Sequence, residues 1–132
     1  MIHVKYKLDK STIHGTGIFA EQHVGKGELI YTVSPVFDVN ITQAKFESLT
    51  EVEKRKVEYW GYWFEPDKVW HVDFDDIRFI NHSSTANTTQ NFSQPGHPLT
   101  ATRDIQEGEE LTQNYLEFKS QEDLKRMGIE LQ

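Results

Sequence analysis

Two short segments carry the polar side chains best suited to hold and orient a ligand. The first is Arg78-Phe79-Ile80-Asn81-His82-Ser83, where an amide and an imidazole follow two apolar residues. The second runs from the turn at Gly108 to Tyr115. An amide offers both a donor and an acceptor, and so does a phenol hydroxyl. We therefore treat the two segments as one candidate site, which the rest of the chain must assemble.

A third segment, Ile13-His14-Gly15-Thr16-Gly17-Ile18, places two glycines one residue apart between short apolar stretches. Glycine lets the backbone adopt positive φ and approach a ligand closely. The segment lacks the third glycine and the following helix of a dinucleotide-binding fingerprint. Taken alone, it indicates an ordinary turn.

Composition excludes several other chemistries. The chain has no cysteine, which rules out disulfides, cysteine-based zinc sites and thiol catalysis. The histidines show no paired-ligand spacing, and the carboxylates of residues 73–76 match no calcium loop. We therefore expect no metal.

Length and charge limit the class of protein and of partner. The 132 residues predict a single domain over residues 1–132. A formal charge of −7 disfavours nonspecific binding to nucleic acid or anionic membranes. It suits a basic partner such as a lysine-rich protein tail, although a negative charge also simply keeps small domains soluble.

No stretch is apolar enough to span a bilayer, and no basic start precedes a long apolar run. We expect an intracellular, soluble protein, cytoplasmic or nuclear according to its host, without membrane contact.

The remaining residues predict a mainly β scaffold with a few short helices. Alternation or β-type residues predict strands over residues 2–8, 29–33, 36–41, 62–64, 69–72, 99–105 and 110–115, in small separate sheets. Thr50 and Glu53 form a capping-box pattern that starts a helix running towards Gly61. Ser120 should cap a last helix that ends near Gly128, and the polar residues 84–94 predict a loop.

A dense aromatic cluster occupies residues 59–64. Most large aromatic side chains pack in cores. An aromatic wall for a cation is the alternative for this cluster.

These motifs occur in an order that closely resembles the SET-domain protein lysine methyltransferases. The order is Gly15-x-Gly17, then residues 78–83 with Asn87 beyond, then residues 101–115, and the likeness covers residues 11–118. The resemblance implies a SET-domain, β-clip-like fold whose C-terminal segment passes under the Asn81 loop as a pseudoknot. Residues 119–132 would be a helical segment that completes the site.

The resemblance also implies a function and a cofactor. The protein would transfer methyl groups from S-adenosyl-L-methionine to a lysine side-chain amine of a protein substrate, such as a histone or another basic protein. The alternative is a catalytically inactive SET-like module that binds a protein or the cofactor.

Site residues follow from the same resemblance. Tyr115 would be catalytic and would also contact the cofactor. The other residues implied to bind the cofactor are Gly15, Thr16, Gly17, Asn81, His82 and Phe118. Tyr31, Tyr62 and Trp63 are candidates for the substrate-lysine channel. Arg78 would support its loop through charged hydrogen bonds.

Two departures from the family pattern affect this interpretation. Many members carry Asp-Tyr where this chain has Asn114-Tyr115, and many end in a cysteine-rich zinc segment that is absent here. The helix predicted after Ser120 would substitute for that segment, or a second subunit in a homodimer would.

Overall fold

The computed structural model describes residues 1–129, which contain ten short β-strands, three α-helices and three short 3₁₀ helices. The strands are β1 (Tyr6–Lys10), β2 (Thr16–Ala20), β3 (Leu29–Tyr31), β4 (Asp38–Thr42), β5 (Gly61–Phe64), β6 (Val69–Asp73), β7 (Asn81–His82), β8 (Thr88–Gln90), β9 (Leu99–Ala101) and β10 (Glu110–Gln113). The α-helices are α1 (Gln43–Glu47), α2 (Glu51–Trp60) and α3 (Gln121–Arg126). Residues 130–132 of the predicted C-terminal segment lie outside the described part.

The strands form three small sheets, which confirms the predicted mainly β architecture. Their strand orders are β1-β2-β10-β7, β3-β9-β8 and β4-β6-β5. Gly27 and Gly108 adopt positive φ in the turns that precede β3 and β10. A glycine turn of this kind ends one strand and starts another without steric cost.

Helix α2 begins and ends where the sequence predicts. The Thr50 hydroxyl accepts from the Glu53 amide at 3.2 Å, and the Glu53 carboxylate accepts from the Thr50 amide at 2.8 Å. At the other end, a Cβ on Gly61 would lie 2.6 Å from the His71 carbonyl oxygen. Glycine therefore allows the helix to continue directly into β5.

Three local predictions differ from the structure. The first strand covers Tyr6–Lys10 instead of residues 2–8, because the alternation at Ile2 and Val4 reflects packing on the core. Helix α1 was not predicted, since only Thr42 at its N-cap and the stacking of Phe46 on a neighbouring strand mark it. Strand β8 lies within the predicted loop 84–94, and its polar side chains bond to β10 and to residues beyond it.

Strand β10 is enclosed on both edges and crossed by a loop. It pairs antiparallel with β2 and parallel with β7, where Thr112 is opposite Asn81. The chain leaving β7 then crosses β10 through Asn87. The Asn87 amide nitrogen donates to the Glu110 carbonyl at 2.8 Å, and its oxygen accepts from the Thr112 amide at 2.9 Å. This arrangement is the predicted pseudoknot.

The apolar core lies behind this sheet and the β3-β9-β8 sheet. Its fully buried members include Ile18 of β2, Leu99 of β9 and Leu111 of β10. The core thus fixes β10 from behind, while the residues that follow β10 project towards the candidate site. Within residues 1–129, no helix has the length and apolar character needed to cross a membrane.

Replacing Asn87 with alanine should destabilise the fold. The side chain is 3% exposed, and its loss leaves two backbone groups of β10 without partners. We expect Asn87→Ala to lower the free energy of unfolding by about 2 to 4 kcal/mol, measured by urea denaturation. Asn91→Ala is the matched control, because Asn91 is exposed, and it should cost less than about 0.5 kcal/mol. Equal effects of the two changes would contradict the role assigned to Asn87.

Candidate active site

Most of the predicted site residues meet in one cavity of about 380 Å³, a volume typical of small-molecule and cofactor sites. Those that line it are Gly15, Thr16, Tyr31, Tyr62, Asn81, His82, Tyr115 and Phe118. Gly17 and Trp63 lie outside the lining. The cavity therefore draws on the N-terminal glycine loop, on the β7 tip and on the segment after β10.

Tyr115 opens a single 3₁₀ turn (Tyr115–Glu117) directly after β10. Asn114 caps this turn, because its side-chain oxygen accepts from the Leu116 amide at 3.0 Å. A carboxylate could accept the same bond. The change from the more usual aspartate therefore removes a charge and keeps the local structure that positions Tyr115.

The Tyr115 hydroxyl donates to the carbonyl oxygen of Ile80, the residue before β7. Its ring lies 5.3 Å from the His82 ring and 5.4 Å from the Phe118 ring, between centroids. Burial, followed by the charges of Tyr59 and Glu110, raises the pKa of Tyr115 above its usual range. Tyr115 therefore carries a neutral hydroxyl whose proton is donated to Ile80. The hydroxyl oxygen can still accept a hydrogen bond from another group.

The His82 ring connects the two halves of the pseudoknot. Its Nδ1 atom accepts from the Tyr115 backbone amide at 3.1 Å, so the neutral ring carries its proton on Nε2. Burial lowers the pKa of His82 below its ordinary value, which favours this neutral form. The ring thus holds the backbone of Tyr115 in place.

The Asn81 amide nitrogen is surrounded by acceptors. It donates to the carbonyl oxygens of His14 and Thr16 at 3.0 and 3.3 Å, and to the Glu110 carboxylate at 2.8 Å. The amide oxygen has no protein partner within residues 1–129, although Asn81 is only 6% exposed. Asn81 therefore offers the cavity an acceptor.

The two glycines of the N-terminal loop, Gly15 and Gly17, have different structural roles. Gly15 has φ of +45° and no atom within 4 Å of the position of a Cβ, so its backbone borders open space in the cavity. A Cβ on Gly17 would lie 2.3 Å from a Glu110 carboxylate oxygen. Gly15 thus suits the predicted contact with a ligand, whereas Gly17 makes room for a side chain.

Of the three channel candidates, Tyr31 and Tyr62 face the cavity and Trp63 does not. The Tyr31 hydroxyl donates to Asp73 at 2.8 Å, and the Tyr62 ring lies 5.1 Å from that of Phe118. Trp63 follows Tyr62 on β5 and so points to the other face of the sheet. There its indole nitrogen donates to Glu65 at 2.6 Å.

Tyr59 and Lys119 also line the cavity, and sequence reasoning missed both as site residues. Tyr59 belongs to the aromatic cluster of residues 59–64, but which members of that cluster face the cavity depends on how α2 and β5 pack, which the sequence does not show. The Lys119 ammonium donates to the carbonyls of Glu58 and Gly61 at 3.2 and 2.8 Å. Burial, followed by the charge of Arg126, lowers the pKa of Lys119 to about 8.

Arg78 also borders the cavity. Among residues 1–129, aromatic rings contact its guanidinium instead of the predicted partners in charged hydrogen bonds. Its guanidinium carbon lies 5.6 Å from the Trp60 ring, 5.1 Å from the Phe79 ring and 5.7 Å from the Phe74 ring. Rings at these distances attract a cation.

The comparison with protein families agrees with this geometry. The family model of the SET domain matches residues 15–116. The chain belongs to the SET-domain family.

Solved structures share the fold. A candidate histone methyltransferase of Plasmodium falciparum aligns with this SET domain at a TM-score of 0.61 and 20% identity, covering 86% of this chain and 95% of the other. An apo form of ctPRC2 with two substitutions in its Ezh2 subunit aligns at 0.68 and 26% identity, covering 93% of this chain and 16% of the other.

A humanised mutant of the Chaetomium thermophilum Polycomb Repressive Complex 2, bound to an inhibitor, aligns at 0.67 and 24% identity, covering 96% of this chain and 17% of the other. The SET domain thus spans only a small part of the two Polycomb chains. A sequence search of curated proteins finds no significant match.

A buried polar network lies behind Tyr31 in this SET domain. His71 bonds to Asn40 at 2.8 Å and to Asp73 at 2.9 Å. One oxygen of Asp38 is buried and has no hydrogen-bond partner in the described part of the chain. Potential ligand atoms of Asp38, His71 and Asp73 lie within 4.8 Å of one another. In the structure both nitrogens of the His71 ring are engaged by protein oxygens. The absence of a bound metal stays a prediction.

The charges of this network depend on one another. Burial, followed by the charge of Asp73, raises the pKa of Asp38 to about 6. Burial alone would lower the pKa of His71, but the hydrogen bond and charge of Asp73 raise it. Burial likewise opposes the ionised form of Asp73, yet the bond and charge of His71 hold its pKa below the usual range.

Stability should therefore fall as the pH rises through the titration of Asp38. The folded-state pKa of Asp38 lies above the ordinary 3.8, so its contribution is complete below that value and is lost as the pH rises through about 6. His71 acts in the same direction, whereas Asp73 matters only in stronger acid. The free energy of unfolding should therefore decrease between about pH 4.5 and pH 7.5. We expect Asp38→Asn to make this decrease smaller by about 1 kcal/mol, a figure that allows for solvent screening.

Urea denaturation at both pH values measures this difference. Asp9→Asn is the control, because Asp9 is exposed and a backbone hydrogen bond from Lys10 lowers its pKa. It should leave the fall unchanged. If the free energy of unfolding decreases equally in Asp38→Asn and in the wild type, Asp38 is not the titrating group.

Proposed function

We propose that this SET domain is an S-adenosyl-L-methionine-dependent methyltransferase acting on a lysine side-chain amine of a basic protein or peptide tail. One observation carries the proposal. Asn81, whose amide oxygen has no hydrogen-bond partner among residues 1–129, and Tyr115 line the same cavity. These are the groups that can hold a cationic donor and orient an amine.

The residues present fit the cofactor. The Asn81 oxygen is an acceptor for an ammonium group, the backbone at Gly15 borders open space, and Phe118 offers an aromatic face. When bound, the cofactor would supply a methyl group on a sulfonium. Asn81, the glycine loop and Phe118 are the residues that would hold it.

The side chains suit methyl transfer without a strong base. The substrate nitrogen must be uncharged and aligned with the methyl group, and water must be kept away. The Tyr115 oxygen can accept an N–H from the amine and fix its direction, since its own proton goes to Ile80. The high pKa of Tyr115 excludes it as a base at neutral pH, so the proton would leave to solvent before transfer.

Aromatic side chains suit the passage for a lysine. Tyr31, Tyr59 and Tyr62 border the cavity beside Tyr115, and such rings pack on an aliphatic chain and attract a cation. A formal charge of −7 favours a basic partner. Histone tails match this chemistry, and the Plasmodium falciparum relative is described as a candidate histone methyltransferase.

Replacing Tyr115 with phenylalanine tests the proposal. The variant keeps the ring and loses only the oxygen that would orient the amine. We expect methyl transfer to fall roughly 10²-fold or more, while the affinity for the cofactor changes less than about threefold. Transfer is measured with radiolabelled cofactor and a panel of lysine-rich proteins and peptides, and affinity by calorimetry.

Tyr6→Phe is the matched control. The Tyr6 hydroxyl bonds to Asp76 at 2.7 Å, and Tyr6 is not among the residues that line the cavity, so transfer should be unaffected. Equal transfer by the wild type and Tyr115→Phe would remove the role of Tyr115. Cofactor binding by the wild type without transfer to any protein in the panel would instead favour a catalytically inactive binding module.

A further inference from the structure

The Glu110 carboxylate lies against the Asn81 amide, at the point where β10 begins. It accepts from the Asn81 amide nitrogen at 2.8 Å and from the Ser11 hydroxyl at 2.7 and 3.0 Å. The Glu110 backbone is fixed as well, since it pairs with β2 and its carbonyl accepts from Asn87. Both the main chain and the side chain of Glu110 are therefore held in one position.

The fold keeps a space for this carboxylate. A Cβ on Gly17 would lie 2.3 Å from its Oε2 atom and 2.8 Å from its Cδ atom. Any larger residue at position 17 would displace the side chain of Glu110. Gly17 borders Glu110 and not the cavity, so the second glycine of the N-terminal loop affects the site through Glu110.

The carboxylate determines which way the Asn81 amide faces. The nitrogen has three acceptors, namely the His14 and Thr16 carbonyls and Glu110. A rotated amide would place its oxygen against these oxygen atoms, none of which carries a proton when Glu110 is ionised. With the nitrogen held in this way, the oxygen is the polar atom that Asn81 can present to a ligand.

We propose that Glu110 is a positioning residue that holds the Asn81 oxygen towards the cavity and thereby selects a ligand carrying an ammonium group. The inference rests on the proposed function and deepens it, because it assigns recognition of the cofactor's amino end to an Asn81–Glu110 pair. The negative charge of Glu110, one amide away, adds an attraction for a cation. It also disfavours a ligand that presents a carboxylate at the same place.

Binding of two ligands that differ in one group tests this role. S-adenosylhomocysteine carries the ammonium group, and its deaminated analogue does not. Glu110→Gln keeps the shape of the side chain but removes its charge and supplies amide hydrogens, so position 110 can pair with either end of the Asn81 amide and no longer fixes its direction. We expect this variant to bind S-adenosylhomocysteine roughly 10- to 100-fold more weakly, the range for a hydrogen bond to a charged group, and the analogue less than about threefold more weakly. Both affinities are measured by calorimetry.

Glu109→Gln is the matched control, because the Glu109 carboxylate pairs with Arg103 at 3.2 Å and does not touch Asn81. It should leave both affinities unchanged. If thermal unfolding shows that Glu110→Gln does not fold, the positioning role of Glu110 is tested with Ser11→Ala instead. Ser11→Ala removes one restraint on the carboxylate and should lower the preference for the ammonium ligand by roughly threefold.

The outcomes separate the inference from the proposed function. Equal weakening of both ligands in Glu110→Gln, or an unchanged preference in Ser11→Ala where that variant decides, would overturn the positioning role and leave the methyltransferase proposal intact. A wild type that binds both ligands equally would overturn the selection of the ammonium group. A wild type that binds neither would overturn the proposed function itself.

Discussion

The enclosure of β10 is the constraint on which the rest of the structure depends. This strand lies between β2 and β7 and is crossed by the loop that carries Asn87. Its first residue, Glu110, contacts Asn81. Just past its last residue, Asn114 caps the 3₁₀ turn that begins with Tyr115. The cavity therefore exists because one short strand is held on both edges and at both ends.

Sequence patterns predicted the motif segments and the helix ends well, because that information lies in neighbouring residues. The motif around Asn81 and Tyr115 identified the family, and the capping box at Thr50 and the glycine at 128 located two helices. The alternation at Ile2 misplaced β1, because burial against a core and pairing in a sheet leave similar patterns. Polar β8 was missed for the opposite reason, since backbone pairing with β9 and side-chain hydrogen bonds to β10, and not apolar packing, stabilise it.

The finer geometry of the site could not be predicted, because it depends on contacts between residues far apart in sequence. Strand alternation alone separates Tyr62 from Trp63, but which of the two faces the cavity depends on how β5 packs. Lys119 acts on the end of α2, more than fifty residues away. The second glycine of the loop resembled a ligand contact, yet the structure pairs Gly17 with Glu110.

Parallel pairing of β7 with β10 also has a kinetic consequence. Neighbouring strands in a hairpin can form early, whereas this pair joins residues about thirty positions apart with a crossing loop between them. Contacts of high sequence separation form slowly, because the entropy of loop closure is lost before they stabilise the chain. The pairs β2–β10 and β3–β9 span still larger separations. The sheets and the binding site should therefore form together, and ligand affinity should be among the last properties that a refolding chain regains.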